Sequence, residues 1–437
     1  MSLLTAMYSS ASGLSSTTDE LSVVGDNISN SQTVGFKASR TDFADAMTQQ
    51  LAAGQGEQGL GVRTLTVQKL MSQGAFTTTN QDTDMAIQGN GMFVLKGSYG
   101  GTAGTFYSRD GEFTIDKNGY MVNGEGLRVQ GLQADTLGDV SSGLLGDLQI
   151  GNASAPAKST DDITVRGNLD SAATPTENAD ATTGALGWTV TDAKDTSNFS
   201  TSMVCYDSLG KPVQLDVYFC MDSVGDWHYH AVTDGANLTG GTAGPNEVAT
   251  GELKFDPTGR LVSNTSTLNN FNPINATNPQ PLTFNFGSGT AAGGSGLDGI
   301  TQYSADSAMS FVTQAGFTSG SLASLSIGGD GKITGEFTNG QSRVLGQLVL
   351  GNFKAPDQLA RIGGSLYQET SNSGPGTLGT PATADRGSIS AGALEQSNVD
   401  IAQEFINMIA AQRGFEADSK TLTTADQLLS DLMMIRR

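Results

Sequence analysis

Cysteine, histidine and tryptophan are nearly missing: the 437 residues hold two of each. Two cysteines, Cys205 and Cys220, are too few for a disulfide scaffold and leave the redox compartment open. Two histidines, His228 and His230, leave little material for a Ser-His-Asp arrangement. Positive charge is scarce as well, with 23 Lys and Arg against 44 Asp and Glu and a net charge of −21. Such a chain suits neither nucleic acid nor an anionic membrane surface. No apolar run reaches the length of a membrane span. Met1 to Leu14 lack the basic segment and long apolar core of a secretory signal, so no cleavable leader is expected. Aromatic residues make up 7% of the chain and charged residues 15%, whereas glycine is abundant at 57. That mixture predicts β-structure with many turns, in two or three domains of about 150 residues each.

The charge that is present is uneven. Residues 134–313 carry 20 acidic and 6 basic residues, a net of −14, which leaves −7 for the two flanks together. The middle therefore reads as a solvated, exposed part and the ends as closer to neutral.

The ends carry the strongest periodicity. Ile401, Met408, Phe415, Leu422 and Leu429 recur every seven residues, and Phe405 and Met433 share the alternate row with Gln412, Ser419 and Asp426. A repeat this long predicts one continuous helix with an apolar seam. About 38 helical residues would span roughly 57 Å. Ser397 is placed to cap it, with Asp400 three residues on. At the other end Met7, Leu14, Leu21 and Ile28 are also seven apart, interleaved with Leu4, Ala11, Thr18 and Gly25. Ser and Thr fill the outer positions there and Gly13 and Gly25 interrupt, so helix propensity is poor. Both ends are expected to order when they meet partner helices. The heptads leave open whether the partner is another subunit or the chain's own opposite end.

Between the ends the period changes. Thr41 to Ala53 reads as a short helix, followed by a glycine-rich passage, Gly54 to Gly61. Strand-like runs from Met92, Phe113 and Leu127 are separated by Asp110-Gly111, Asn118-Gly119 and Asn123-Gly124, which are hairpin signals. Further on, Met203–Tyr206 and Val213–Met221 read as a hairpin whose Val213, Leu215, Val217 and Phe219 face a core. Ser321–Ile327 and Leu345–Leu350 read as strands. The expected fold is mainly β with coiled-coil-like helical termini, in nested domains with two antiparallel β domains. The expected division is terminal helices at 1–30 and 394–437, linkers at 31–69 and 373–393, a middle β domain from 70–145 and 306–372, and an outer acidic β domain at 146–305.

Chemistry is harder to find. Gly54-x-Gly56-x-x-Gly59 matches a dinucleotide fingerprint as a string, but lacks the strand before it and the helix after it. Cys205, Cys220, His228 and His230 lie close in sequence, yet their spacing fits none of the common zinc patterns. They read as two packed thiols and two surface imidazoles. Asp116-x-Asn118-Gly119 and Asp330-Gly331 lack the downstream glutamate of a calcium loop and read as turns. No catalytic residue, cofactor or metal is expected.

The residues do resemble a known family, the axial rod and hook proteins of the bacterial flagellum. Asn27-Ile28-Ser29-Asn30 with Gly35-Phe36-Lys37 resembles its N-terminal signature. Gln88-Gly89-Asn90-Gly91-Met92-Phe93 and Tyr107-Ser108-Arg109-Asp110-Gly111-Glu112-Phe113 resemble the next two blocks. Gly392 to Asp400, including Asn398, and then Gln412-Arg413, resemble the C-terminal signature. Gly25-Asp26 stands where Ala-Asn is usual, and Phe415 where Tyr is common. Asp207-Ser208-Leu209-Gly210 and Gly346 to Phe353 are similar to the hook branch, and a distal rod component is the alternative. The resemblance implies a structural subunit of a curved, flexible tube that joins rod to filament. It also implies export through the flagellar type III apparatus, and contacts with further copies, a distal rod protein, a hook cap protein and a hook–filament junction protein. The heptad residues would then be assembly contacts: Leu4, Met7, Ala11, Leu14, Leu21 and Ile28, with Ile401, Phe405, Met408, Phe415, Leu422, Leu429 and Met433. Some relatives cross-link subunits through Cys and Lys, a role for which Cys205 and Cys220 are the candidates.

Overall fold

The computed structural model describes residues 3–46, 49–50, 57–59, 61–135, 138–140, 145–180 and 185–435. The chain is mainly β between two long terminal helices, α1 (Leu3–Ser29) and α2 (Ile401–Ile435). It divides into two compact units. The first comprises residues 1–153, 322–336 and 342–437, and the second comprises residues 154–321 and 337–341.

In the first unit α1 and α2 pack against one another, the alternative that the heptads left open. Serine and threonine are tolerated in α1 because their hydroxyls bond back to the preceding turn. Thr17 donates to the Gly13 carbonyl at 2.9 Å and Thr18 to that of Leu14 at 2.7 Å. The cap of α2 is Asp400, whose carboxylate accepts from the Ala402 and Gln403 amides at 2.9 and 3.2 Å. Ser397, the expected cap, meets only the Val399 amide. Aspartate is itself a strong cap, and the residues before it are extended.

The stretch after Lys37 is not helical. Ser39–Asp45 is a strand paired antiparallel with Val62–Lys69, with a bulge after Asp42. The long-range ladder supplies partners for backbone groups that a short, poorly capped helix would leave open. Of the glycine-rich passage, Gly54 and Gly56 lie outside the described residues, and Gly59 has open space where a side chain would stand. The hairpin lies along α1, where the Thr64 hydroxyl donates to Asp19 at 2.7 Å.

The rest of the first unit is an antiparallel sheet centred on Arg128–Gln133, which pairs with Met92–Tyr99 and with Ser342–Leu348. Met92–Tyr99 continues to Thr102–Ser108. Residues 373–393, expected as a linker, also contribute strands. Thr377–Gly379 pairs with Leu350–Asn352, and Ser388–Ala391 with Met85–Gln88. The Asp116 turn forms as its composition suggests, with the carboxylate accepting from the Asn118 and Tyr120 amides and Gly119 at φ 82°.

The second unit is a five-stranded antiparallel meander, Phe199–Tyr206, Pro212–Ser223, Asp226–Asp234, Pro245–Phe255 and Leu261–Asn269, with a four-stranded sheet built around Asp162–Asp170. One apolar core joins the two sheets. Val213, Leu215, Val217 and Phe219 point into it as alternation predicts, opposite Ile163 and Val165. Ala308–Gln314, expected with the middle domain, pairs with Asp162–Asp170 in this unit.

Candidate assembly site

The family-like blocks meet at one buried carboxylate. Glu395 ends the strand Ala393–Glu395, which pairs with Phe76–Thr78. Its side chain is wholly buried. One oxygen lies 2.6 Å from Lys37 Nζ and 2.9 Å from the Gly74 amide, the other 3.1 Å from Arg109 Nη1. The remaining donors find carbonyls: Lys37 that of Ser72 at 2.7 Å, and Arg109 that of Gly89 at 2.7 Å. Burial pulls the Lys37 amine below the usual lysine range, against the opposing charge of Glu395. It acts in the same direction on Arg109. A buried group of two cations and one anion is tolerable because Glu395 and backbone carbonyls accept from both cations.

Around this centre the other signature residues divide into two groups. Asn27 is buried and exchanges both amide bonds with the Ser39 backbone, at 2.7 and 2.9 Å. Asn398 accepts from Ala38 N at 2.7 Å and donates to the Leu70 carbonyl at 2.8 Å. Gly35 adopts φ 67°, and a Cβ there would sit 2.5 Å from the Asp110 amide, so only glycine fits. Phe36 is buried beneath the Arg361 guanidinium, 4.4 Å from its ring centre. Gly89 and Gly91 are both left-handed, at φ 109° and 122°, beside the Met92 strand. Asn30 bonds only locally, donating to Asp26 and accepting from Thr33. Gln412 and Arg413 do not reach the junction: both are exposed on α2, and Arg413 pairs with Glu416. Arg109 and Glu395 lie within the blocks that carry the resemblance, but neither stands out there as a site residue. The signal that would have marked Glu395 is a carboxylate following the apolar pair Ala393 and Leu394 in a strand.

The heptad rows are not the most buried positions of the two helices. The buried positions of α1 are Ser10, Gly13, Ser16, Val24 and Asn27, and those of α2 are Ala411 and Ala425. A Cβ on Gly13 would run into the Asp418 carboxylate, so small residues set the approach. The rows predicted to be greasy are less buried than these positions. Met7, Leu14, Leu21, Ile28, Met408, Leu422 and Leu429 are half-buried, and Ala11 is exposed. The side chain of Leu4 lies outside the described residues. Ile401, Phe405, Phe415 and Met433 are exposed, together with Ile406, Ile409, Leu428 and Met434; Phe405 is 49% and Ile409 58% accessible. The paired helices thus present apolar side chains outward.

The cysteines and histidines are not the bland set that the sequence suggested. Cys205 lies in the apolar core. Cys220 and His230 are also buried, on the opposite, polar face of the meander, where Glu177 and Glu247 flank the imidazole at 3.0 and 2.5 Å. Burial alone would depress the His230 pKa, but the bonds to Glu177 and Glu247 outweigh it and raise it. Burial pushes both thiols up to about 12. A protonated, covered thiol is the reverse of a nucleophile, so neither cysteine is set for cross-linking in this fold.

A β-rich chain with paired terminal helices, exposed apolar stripes and ends tied together at a polar junction is a structural, assembling protein. Comparison with known proteins identifies which. Residues 7–37 match the family described as flagella basal body rod protein, and residues 86–171 the flagellar hook protein FlgE/F/G D1 domain. Residues 168–317 match the flagellar basal body protein FlaE D2 domain, and residues 390–434 the flagellar basal body rod FlgEFG protein C-terminal family. The flagellar hook protein FlgE of Escherichia coli is 33% identical, covering 99% of this chain and 100% of that one. That of Borreliella burgdorferi is 32% identical over the same shares. A solved Helicobacter pylori flagellar hook protein FlgE2 is similar over 72% of this chain and 98% of that one, with 15% identity and a TM-score of 0.48. The chain belongs to the flagellar hook protein family and is a structural subunit of the flagellar hook.

Proposed function

We propose that this chain polymerises with copies of itself into a tubular, flexible hook that carries torque from rod to filament as a universal joint. The observation that carries the reading is the apolar surface of α2. Phe405, Ile406, Ile409, Phe415 and Met433 stay exposed after α1 has packed, which is unfavourable in a lone subunit and useful in a polymer. The heptad residues are the contacts, the terminal helices form the inner layer, and the acidic β unit forms the outer one. The signature residues fix the chain ends to the neighbouring sheet and so set the angle at which the helices are offered. Distal rod, hook cap and junction proteins are the partners at the ends of the tube. The chain reaches its place through the flagellar export apparatus, and it has no catalytic role.

The double variant Phe405→Asp, Ile409→Asp tests this. Both residues are exposed, so the subunit should fold normally by circular dichroism. Hooks should be absent by electron microscopy and motility lost in soft agar. Normal hooks from that variant would overturn the assembly role of α2.

A further inference from the structure

The polar face of the meander holds donors that the hook role does not use. Tyr218, Cys220, His228 and His230 share that face because they are paired directly across two strands, Tyr218 with His230 and Cys220 with His228. Residues 171–178 and 187–198, between Asp162–Asp170 and Phe199–Tyr206, bring down Glu177 and lay the Trp188 ring on His230, with centres 4.2 Å apart. The Trp188 amide donates to the Glu177 carbonyl at 3.0 Å, which fixes the two covering residues to each other. One donor atom from each of Glu177, Cys220 and His230 lies within 4.8 Å of the other two.

We propose that Glu177, Cys220 and His230 bind one divalent transition metal, with zinc the best match, and that the ion clamps the covering segment to the sheet. Ligands 2.0–2.3 Å from a tetrahedral zinc stand about 3.3–3.8 Å apart. His230 Nε2 is 3.0 Å from Glu177 Oε2, a little short of that range, and His228 Nδ1 is 3.7 Å from Glu177 Oε1, within it. The donor types select the ion: thiolate with imidazole and carboxylate suits zinc, whereas calcium and magnesium take oxygen ligands alone. Thiolate and carboxylate together cancel the ion's charge, which makes the burial tolerable.

The surroundings have the form of a supported site. Glu247 meets His230 Nδ1, so the ring is held with Nε2 turned to Glu177 and Cys220. A carboxylate on the far nitrogen is the usual means of orienting a metal-bound histidine, and it makes Glu247 a positioning residue. His228, 31% exposed, lies outside this cluster, and the fourth position is left to a water molecule. Metal binding displaces the Nε2 and thiol protons, and the ion takes the place of the hydrogen between imidazole and carboxylate.

The test uses the purified, untagged, full-length chain. After incubation with zinc and gel filtration, about one equivalent should remain with the folded protein. The cobalt-substituted protein should show a thiolate-to-cobalt absorption band and the intense visible bands of a four-coordinate ion. Only Cys220 can supply the thiolate, because Cys205 lies in the core on the opposite face. That spectrum therefore decides the matter even if Cys220→Ser does not fold. Glu247→Gln should weaken zinc binding roughly 10- to 100-fold while the thiolate band persists. Zinc lost on gel filtration, or cobalt bound with no thiolate band, would overturn the proposal. The second result would place the ion on exposed carboxylates instead.

Discussion

Glu395 concentrates much of the first unit's specificity in one side chain. It is the sole carboxylate contacting Lys37 and Arg109 among the bonds that hold them, and all three are buried. Glu395→Gln keeps the shape but leaves two buried cations without a counter-charge. The expected loss is about 3–5 kcal/mol, read as a lower midpoint in thermal unfolding of the purified subunit. Lys117→Gln, at an exposed position, should change little. Asp110 offers a smaller effect with a defined pH dependence. Burial raises its pKa from 3.8 to about 6. The folded state therefore holds the proton more tightly than the unfolded one. Its stabilising contribution is complete below about pH 4 and is lost as pH rises through about 6. Asp110→Asn should be more stable than the parent at pH 7, by on the order of 1 kcal/mol given its partial exposure. That advantage should vanish near pH 4 in paired urea titrations.

At the scale of elements, the terminal helices show that a heptad can be correct without naming its partner. The apolar rows are legible in the sequence, as are the hairpin turns at Asp116 and Asp207, because each rests on local chemistry. The face on which α1 meets α2 is not. It includes Gly13 against Asp418 and Gly414 against Thr17, residues that carry no hydrophobic signal. The strand Ser39–Asp45 reads as a helix for a related reason: its partner lies more than fifteen residues on, beyond the reach of a periodicity argument. Glu177 is no more visible as a neighbour of His230, because the segment that carries it reaches the meander only in the folded chain. The two glycines of α1 differ in a testable way. Gly13 faces Asp418, whereas Gly25 has nothing within 4 Å of the place a Cβ would take. Gly25→Ala should therefore stabilise α1 by about 1 kcal/mol, seen as a higher thermal midpoint when the helical circular dichroism signal is followed on heating.

At the scale of the molecule, the two units differ in how their cores are assembled. The second draws its core from one nearly continuous stretch, with every member between Ile163 and Ile300. A fragment of residues 154–321 should unfold cooperatively on its own and resist limited proteolysis; a molten, rapidly digested fragment would contradict that. The first unit is stitched from both ends of the chain, and its pivotal ion pair joins residues 358 positions apart. This separation has a consequence for timing. A chain delivered from its N-terminus presents Lys37 early and Glu395 only when it is almost complete. Until then the site would bury cations with nothing to neutralise them, and the strand that ends at Glu395 does not exist. Completion of the first unit is thus a late, all-at-once event that works as a check on full length: a truncated copy has no closing residue and stays open.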